Sequence, residues 1–404
     1  MDAPRGREDG ARAPRVRLRP KMGGRFFAGA PWVYADELVM DRRTKALEPG
    51  VDAVLEDAAR VPLGRVAVNP RSQIGARLLD VDPEAVIDAE WLHGRLRRAL
   101  DLRERLYDAP FYRLVHAEAD GLPGVVVDRF GDAVVVQPNA AWIERRRDDM
   151  REAMVALLQP TALIWSGGSR SRSLEGLEPV TATLHGGLDG PVPTPLNGAI
   201  YLADLTGGQK TGLFFDQRET QAAVAALAGG GRVLDVFCHV GGFALAALAA
   251  GAREALAVDS SASALALAEQ GARRSGFEGR LETRRADAFD ALKALGEEGR
   301  RFEVVVCDPP AFAPQRSALS NGLRAYRKTA RLGAQVTAPG GVFCLCSCSH
   351  AVSQEALEAE AAAAFRALRR GARLIRAGGA GPDHPVHPNL AETRYLKSLI
   401  YVLD

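Results

Sequence analysis

Val233-Leu234-Asp235-Val236-Phe237-Cys238-His239-Val240-Gly241-Gly242-Phe243 reads as a short apolar strand, a tight turn and the start of a helix. The run 233–237 is apolar on both faces and closes on an acid and an aromatic residue, and an Ala/Leu-rich helix over 242–250 then stops at Gly251. The same alternation continues downstream. Ala255-Leu256-Ala257-Val258-Asp259 is a second strand, followed by a helix that Ser260 or Ser261 can cap. Leu281-Glu282-Thr283-Arg284-Arg285, Val304-Val305-Val306-Cys307-Asp308 and Gly341-Val342-Phe343-Cys344-Leu345-Cys346 are further strands. Strands apolar on both faces and separated by helices imply an α/β unit whose parallel sheet is covered on both sides.

Ligands of such sheets bind beyond the carboxyl ends of the strands. Asp235, Asp259 and Asp308 stand at or near strand ends, and Asp287 follows the 281–285 strand. Gly241 and Gly242 let the backbone turn and approach a ligand closely. Asp259, about twenty residues after the glycine loop begins, can accept both hydroxyl hydrogens of an adenosine ribose. Asp287, Ala288 and Phe289 are placed to address an adenine edge. A glycine loop alone also fits an ordinary tight turn; the ordered series of acids is what points to a nucleoside.

Upstream the pattern differs. From about Val16 to Asp88 short strands dominate, at 52–56, 64–68 and 74–79, bounded by Gly, Pro, Asn or Asp, which predicts a small antiparallel β unit. Leu92, Leu96, Leu100 and Leu106 then take helical spacing. Strands at 125–128 and 133–137 flank Arg129-Phe130-Gly131-Asp132 as a hairpin, followed by a helix over 141–158 and a strand at 162–165. Pro191, Pro193 and Pro195 mark a boundary. The expected division is a disordered basic tail at 1–14, a β unit at 15–95, a helical linker at 96–110, a middle α/β unit at 111–193 and the strand–helix unit at 194–404.

The 404 residues carry 47% hydrophobic and 25% charged side chains and a net charge of +2, so composition announces no nucleic-acid binder. The charge is uneven, however: Arg12, Arg15, Arg17, Arg19, Lys21 and Arg25 form a strip without acids between them, though any one basic cluster also reads as a solvated face. No apolar run is long enough to span a bilayer, and Asp2, Glu8 and Asp9 argue against an organelle transit peptide. Five cysteines, all in the second half, do not suggest a disulfide framework, and a reducing, cytoplasmic setting is expected. Alternating cysteines lack the spacing of a zinc site, and His384 and His387 flank prolines without partners, so no metal is expected.

In combination, 235–243, Asp308-Pro309-Pro310-Ala311-Phe312 and Ser347-Cys348-Ser349 resemble the class I methyltransferases of the RlmI type, cytosine-5 methyltransferases of large-subunit (23S) ribosomal RNA. The resemblance extends to Lys210-Thr211-Gly212 with Asp216-Gln217-Arg218, and to Asp383-His384-Pro385 and Tyr395-Leu396-Lys397. In the first half, Pro31-Trp32-Val33 and Ser72-Gln73-Ile74 resemble a PUA domain, and 120–124 with 128–131 resemble the family's middle domain. It implies a Rossmann-like methyltransferase domain preceded by an RNA-binding PUA-like β-barrel and a small α/β domain. It also implies S-adenosylmethionine as cofactor, held by Lys210, Thr211, Phe214, Asp216, Arg218, Asp235, Phe237, Gly241, Gly242, Asp259, Ser260, Asp287, Ala288 and Asp308. Ribosomal RNA is the implied partner, with Arg25, Trp32, Pro310 and Phe312 as candidate contacts, and a homodimer is suggested. Many methyltransferases carry glycine where Phe237 and His239 stand; an aromatic at the first of these positions is an RlmI-type feature.

Carbon 5 of cytosine is a poor nucleophile, and adding a thiolate to C6 makes it enamine-like. Such chemistry needs a reactive cysteine, an acid near N3 and a base. Cys348 leaves its strand between two serines and is the candidate nucleophile, with Asp308 as the base-polarising acid. Cys344 and Cys346 share its strand face and read as small buried hydrophobes, as do Cys307 and Cys238. Alternatives stay open: guanine methylation by a related family, in which Asp-Pro-Pro would hold an exocyclic amine and Phe312 stack on the base; a non-catalytic cofactor-binding RNA assembly factor; and a small-molecule methyltransferase.

Overall fold

The computed structural model describes residues 13–207 and 212–404. Of the expected tail, residues 1–12 fall outside them, as do Lys210 and Thr211. The first unit has strands β1 (Arg15–Arg17), β2 (Trp32–Val33), β3 (Val51–Glu56), β4 (Pro62–Val68) and β5 (Ala76–Asp80), with short helices α1 (Gly24–Phe27) and α2 (Arg42–Lys45). The strand order is β1-β3-β4-β5-β2, and β1 runs parallel to β3. Val16, Leu18, Val33, Leu55, Val66 and Val68 share its core. The strand expected from residue 74 starts at Ala76, because the Ile74 N–H is taken by Ser72 Oγ in a turn.

Helix α3 (Ala89–Leu106) is capped by Asp88, whose carboxylate accepts the Trp91 N–H at 2.9 Å. Leu92, Leu96, Ala99 and Leu100 line one stripe and bury against Leu114, Val125, Val134 and Leu163 of the second sheet. Each leucine contributes about 2 kcal/mol by leaving water. The expected break at 95/96 therefore cuts a continuous helix that packs on the middle unit rather than linking to it. That sheet comprises β6 (Phe111–His116), β7 (Val125–Phe130), β8 (Ala133–Pro138), β9 (Ala162–Gly167) and β10 (Val180–Gly186), in the order β10-β9-β8-β7-β6. The single helix expected over 141–158 is two, α4 (Ala141–Arg145) and α5 (Arg147–Leu158). At the break, Arg146 leaves helical geometry and pairs with Asp52 of the first unit at 2.5 Å.

The hairpin of β11 (Val192–Leu196) and β12 (Ala199–Ala203) straddles the expected boundary at 193/194. It packs on the strand–helix unit: Tyr201 is fully buried and its hydroxyl donates to the Gly242 carbonyl at 3.0 Å. This third unit alternates α6 (Arg218–Ala225), β13 (Arg232–Val236), α7 (Gly242–Ala249), β14 (Glu254–Asp259), α8 (Ala262–Arg274), β15 (Leu281–Arg285), α9 (Ala288–Glu297), β16 (Phe302–Cys307), α10 (Leu319–Val336), β17 (Thr337–Ser347), α11 (Gln354–Ala367), β18 (Ala372–Gly378) and β19 (Lys397–Leu403). Its seven strands lie in the order β15-β14-β13-β16-β17-β19-β18. The first five are parallel, as their two-faced apolar runs demand; β19 is antiparallel to both its neighbours. Val233 and Leu234 face separate apolar clusters on opposite sides of the sheet. Strand order reverses at β13, between β14 and β16, which opens a crevice at their carboxyl ends.

Polar seams join the units. Arg77 pairs with Glu118 (2.9 Å) and Glu175 (3.0 Å), and Glu175 also accepts from Asn69 and Ser72. Between the middle and third units, Arg103 is fully buried, grips Asp120 with both nitrogens (2.6 and 2.8 Å) and donates to the Asp383 carbonyl at 2.8 Å. Among the described residues no helix is long and apolar enough to cross a membrane.

Candidate active site

The loop after β13 is held from two sides. Asp235 is fully buried at the strand end, and its Oδ2 accepts the N–H groups of Phe243 (3.0 Å) and Ala244 (2.9 Å), which belong to the first turn of α7. Asp259, at the tip of β14, accepts the His239 N–H at 2.9 Å on one oxygen and the Ser261 N–H at 2.9 Å on the other. Each oxygen keeps a lone pair for a hydroxyl. Phe237 (φ 65°) and His239 (φ 50°) both take the left-handed conformation that favours glycine, at a cost on the order of 1 kcal/mol each. Gly241 (φ 78°), the N-cap of α7, takes the same left-handed conformation, which glycine adopts without strain.

Burial pushes the Asp235 carboxyl up to about 7, against the pull of the two amides, and the charge of Asp259 adds to the rise. With an unfolded value near 3.8, this group is neutral in both states at low pH, and only the unfolded chain ionises as pH rises toward 7. Without cofactor, its contribution to stability is therefore fully present below about pH 4 and lost on the way to neutrality. Asp235→Asn keeps the acceptor for both amides. Urea unfolding across pH 4–7 should show the variant gaining on the parent by a few kcal/mol toward pH 7; a pH-independent difference would refute this.

Asp287, Ala288 and Phe289, expected at an adenine edge, stand at the start of α9. Ala288 is buried, and Asp287 is exposed and spends Oδ1 as the N-cap of α9, on the Phe289 and Asp290 N–H groups. Ser260 is exposed and its carbonyl accepts from Arg285; Ser261, not Ser260, caps α8. Phe237, Phe289 and Phe312 form a ring cluster with centroids 6.2–6.4 Å apart, and Phe312 reaches Tyr326 at 4.9 Å. Pro310 is exposed beside it.

At the other end, Phe214 packs edge-on against the His239 ring at 5.1 Å. Asp216 is buried; its Oδ2 accepts the Tyr395 hydroxyl at 2.5 Å, while its Oδ1 has no hydrogen-bond partner among the described residues. The same holds for Asp235 Oδ1. Two buried carboxylate oxygens awaiting a donor, together with the glycine turn and the ribose-ready Asp259, fit a cofactor bearing an ammonium and a ribose. Two expected contacts point elsewhere. Arg218 stacks on the Tyr107 ring at 4.1 Å and donates to the Phe111 carbonyl, so it ties the third unit to the middle one instead of facing the crevice. Trp32, half-buried, likewise spends its indole N–H on Glu118 at 2.9 Å and lies under Arg77. Arg25 stays half-exposed, over the Tyr34 ring and 3.8 Å from Glu392.

Asp308 and Cys348 come from adjacent strand tips. Cys307 is in register with Leu345, which puts Asp308 beside Cys346, and Asp308 acts electrostatically on both Cys307 and Cys346. Cys238, Cys307, Cys344 and Cys346 are buried, and Cys348 is the half-buried one. The sulfurs of Cys344 and Cys346 lie 3.8 Å apart, sharing a strand face. Ser347 and Ser349, on either side of Cys348, are fully buried and both bond the Tyr326 hydroxyl at 2.8 Å; Ser349 also accepts the Ala313 N–H at 3.0 Å. The Asp308 and Cys348 loops are thus stitched together. Asp383, His384, Arg103, Arg113 and His116 form a buried polar cluster behind this site that sequence reasoning did not assemble; the Asp383–His384 motif was its visible trace.

Residues 193–401 match the family described as S-adenosylmethionine-dependent methyltransferase, and residues 16–80 match a PUA-like domain. The ribosomal RNA large subunit methyltransferase I of Shewanella denitrificans is 34% identical over 395 residues, covering 96% of this chain and 99% of that protein. The protein of the same name from Aeromonas hydrophila is 35% identical over 344 residues, covering 84% and 87%. Among solved structures, one from Streptococcus mutans described as a SAM-dependent methyltransferase superposes with a TM-score of 0.81 at 18% identity, over 96% of this chain and all of that one. A methyltransferase complexed with SAH superposes at 0.82 with 19% identity over the same shares. A catalytic half that binds S-adenosylmethionine and a PUA-like front end, in one chain aligned nearly end to end with these relatives, place the protein in the ribosomal RNA large subunit methyltransferase I family.

Proposed function

We propose that the protein methylates carbon 5 of a cytosine in large-subunit ribosomal RNA in the cytoplasm, through a covalent adduct between Cys348 and C6. The observation that carries this reading is the half-buried thiol on a loop tied to the Asp308 loop, while the four other cysteines are buried. When bound, S-adenosylmethionine supplies an electrophilic methyl group. Asp235, Asp259 and Asp216 would hold it, with Phe237 and Phe289 against its adenine. The Cys348 thiolate attacks C6, forming the S–C6 bond and pushing the C5=C6 electrons toward N3, where Asp308 holds the base edge. C5 then takes the methyl group; loss of the C5 proton to a base restores C5=C6 and breaks S–C6, returning the thiolate. The target nucleotide must leave its stack to reach the pocket, so unpaired or extruded RNA is the substrate form.

Guanine methylation is the reading that Asp308-Pro309-Pro310 and Phe312 favour, because an acid beside a ring can hold an exocyclic amine. Incubating the purified protein and methyl-labelled cofactor with unmodified large-subunit RNA, followed by nucleoside mass spectrometry, separates the two. 5-Methylcytidine is expected, and label appearing in methylguanosine would reject the cytosine reading.

A further inference from the structure

The mechanism leaves Lys397 without a task. This lysine opens β19, where its backbone pairs with Ser347 at the end of β17, so it stands beside the loop that carries Cys348. Its side chain is buried, and Nζ donates to the Ser349 carbonyl at 2.6 Å. Among the described residues no carboxylate forms an ion pair with it; burial pushes the ammonium down and Cys348 alone pulls it back up. A buried ammonium whose hydrogen-bonded neighbour is a neutral carbonyl is costly unless an anion stands close by.

We propose that Lys397 is the positioning residue for the nucleophile, its buried ammonium supplying the counter-charge that holds the Cys348 sulfur as the anion. This rests on the thiolate reading of the reaction. Lys397, Tyr326 of α10 and Tyr395 before β19 act electrostatically on Cys348. Burial pushes both tyrosine hydroxyls up, so they stay neutral, and both already have partners, Tyr395 in Asp216 and Tyr326 in Ser347 and Ser349. Around them, Asp308 at the tip of β16 acts on the neighbouring Cys346, Asp216 accepts from Tyr395, and His350 lies against Tyr395 at 5.6 Å; the two carboxylates add no cation to the site. In that company the ammonium is the group that favours the thiolate. The thiol proton leaves to water, the S–H electrons stay on sulfur, and Lys397 keeps its protons throughout.

The test is the pH profile of iodoacetamide alkylation at Cys348, read by peptide mass spectrometry on the full chain for the parent, Lys397→Met and Lys397→Arg. Buried cysteines at the other four positions keep the readout site-specific. In Lys397→Met the midpoint should rise by about one pH unit or more, with about a tenfold slower reaction at pH 7, and Lys397→Arg should return most of it. Melting temperature and S-adenosylhomocysteine affinity establish that each variant is folded. An unshifted midpoint in folded Lys397→Met overturns the proposal. Should that variant fail to fold, a parent midpoint at or above about 8.5, that of an ordinary thiol, overturns it equally. The alkylation uses no RNA, so a shifted thiol beside a methylguanosine product would sink the cytosine reading and leave the Lys397–Cys348 pairing standing.

Discussion

Cys348→Ala should lower RNA methylation by about 10³-fold or more while leaving S-adenosylhomocysteine affinity within about twofold of the parent. A loss of 10³ corresponds to about 4 kcal/mol of barrier, which is modest for removing the only route to a nucleophilic C5. The other cysteines are buried; burial pushes the thiols of Cys238 and Cys307 well above their usual range, and the hydrogen bond with Cys344, with burial added, does the same to Cys346. Cofactor binding should persist, because the residues assigned to it, Asp235, Asp259 and Asp216, lie on other loops. RNA carrying 5-fluorocytosine sharpens the test. Fluorine at C5 cannot leave as a proton does, so the parent should accumulate a denaturant-resistant RNA–protein band and the alanine variant none. Turnover within about tenfold of the parent would mean that the methyl group does not go to C5.

The largest structural effect is expected at Arg103. Its guanidinium, fully buried, satisfies both oxygens of Asp120 and the carbonyls of Arg113 (2.9 Å) and Asp383 (2.8 Å). Arg103→Met fills similar space but strands the Asp120 carboxylate, which also accepts the His116 N–H at 2.6 Å. Removing one partner of such a pair costs about 3–5 kcal/mol. The melting temperature should fall by several degrees, and Arg103→Met with Asp120→Asn should recover part of the loss, since the stranded charge goes with it. A destabilisation below about 1 kcal/mol would show that water replaces the guanidinium.

The parallel strands and their terminal acids were legible because each depends on a local pattern: an apolar run, a following acid, a helix start. Asp235, Asp259 and Asp308 needed nothing else to be placed at one edge of a sheet. Phe237 and His239 were legible in another way, as side chains where glycine is common, and both are left-handed. What stayed hidden was decided by distant partners. Arg103 meets a residue 280 positions away and Arg113 one 270 away, and nothing near either arginine announces it. Arg218 and Trp32 were read toward ligands for the same reason, since a stacking tyrosine or a buried glutamate elsewhere in the chain leaves no mark beside them. The helix read as a linker failed differently. Its leucine stripe was visible, but the surface it covers is made by strands later in the chain.

The seams at Glu175 and Asp383 have a mechanical meaning. Swinging the front barrel away would strip a buried carboxylate of an arginine, an asparagine and a serine at once, and parting the rear halves would take the Asp383 carbonyl from a buried guanidinium and the Arg113 amide from the Asp383 carboxylate. The enzyme should therefore behave as a rigid caliper, with the span from gripping surface to sulfur fixed before any RNA arrives. On the proposed reading, selection among target bases then falls to the RNA, which must present its anchoring segment and its loose base at that one spacing.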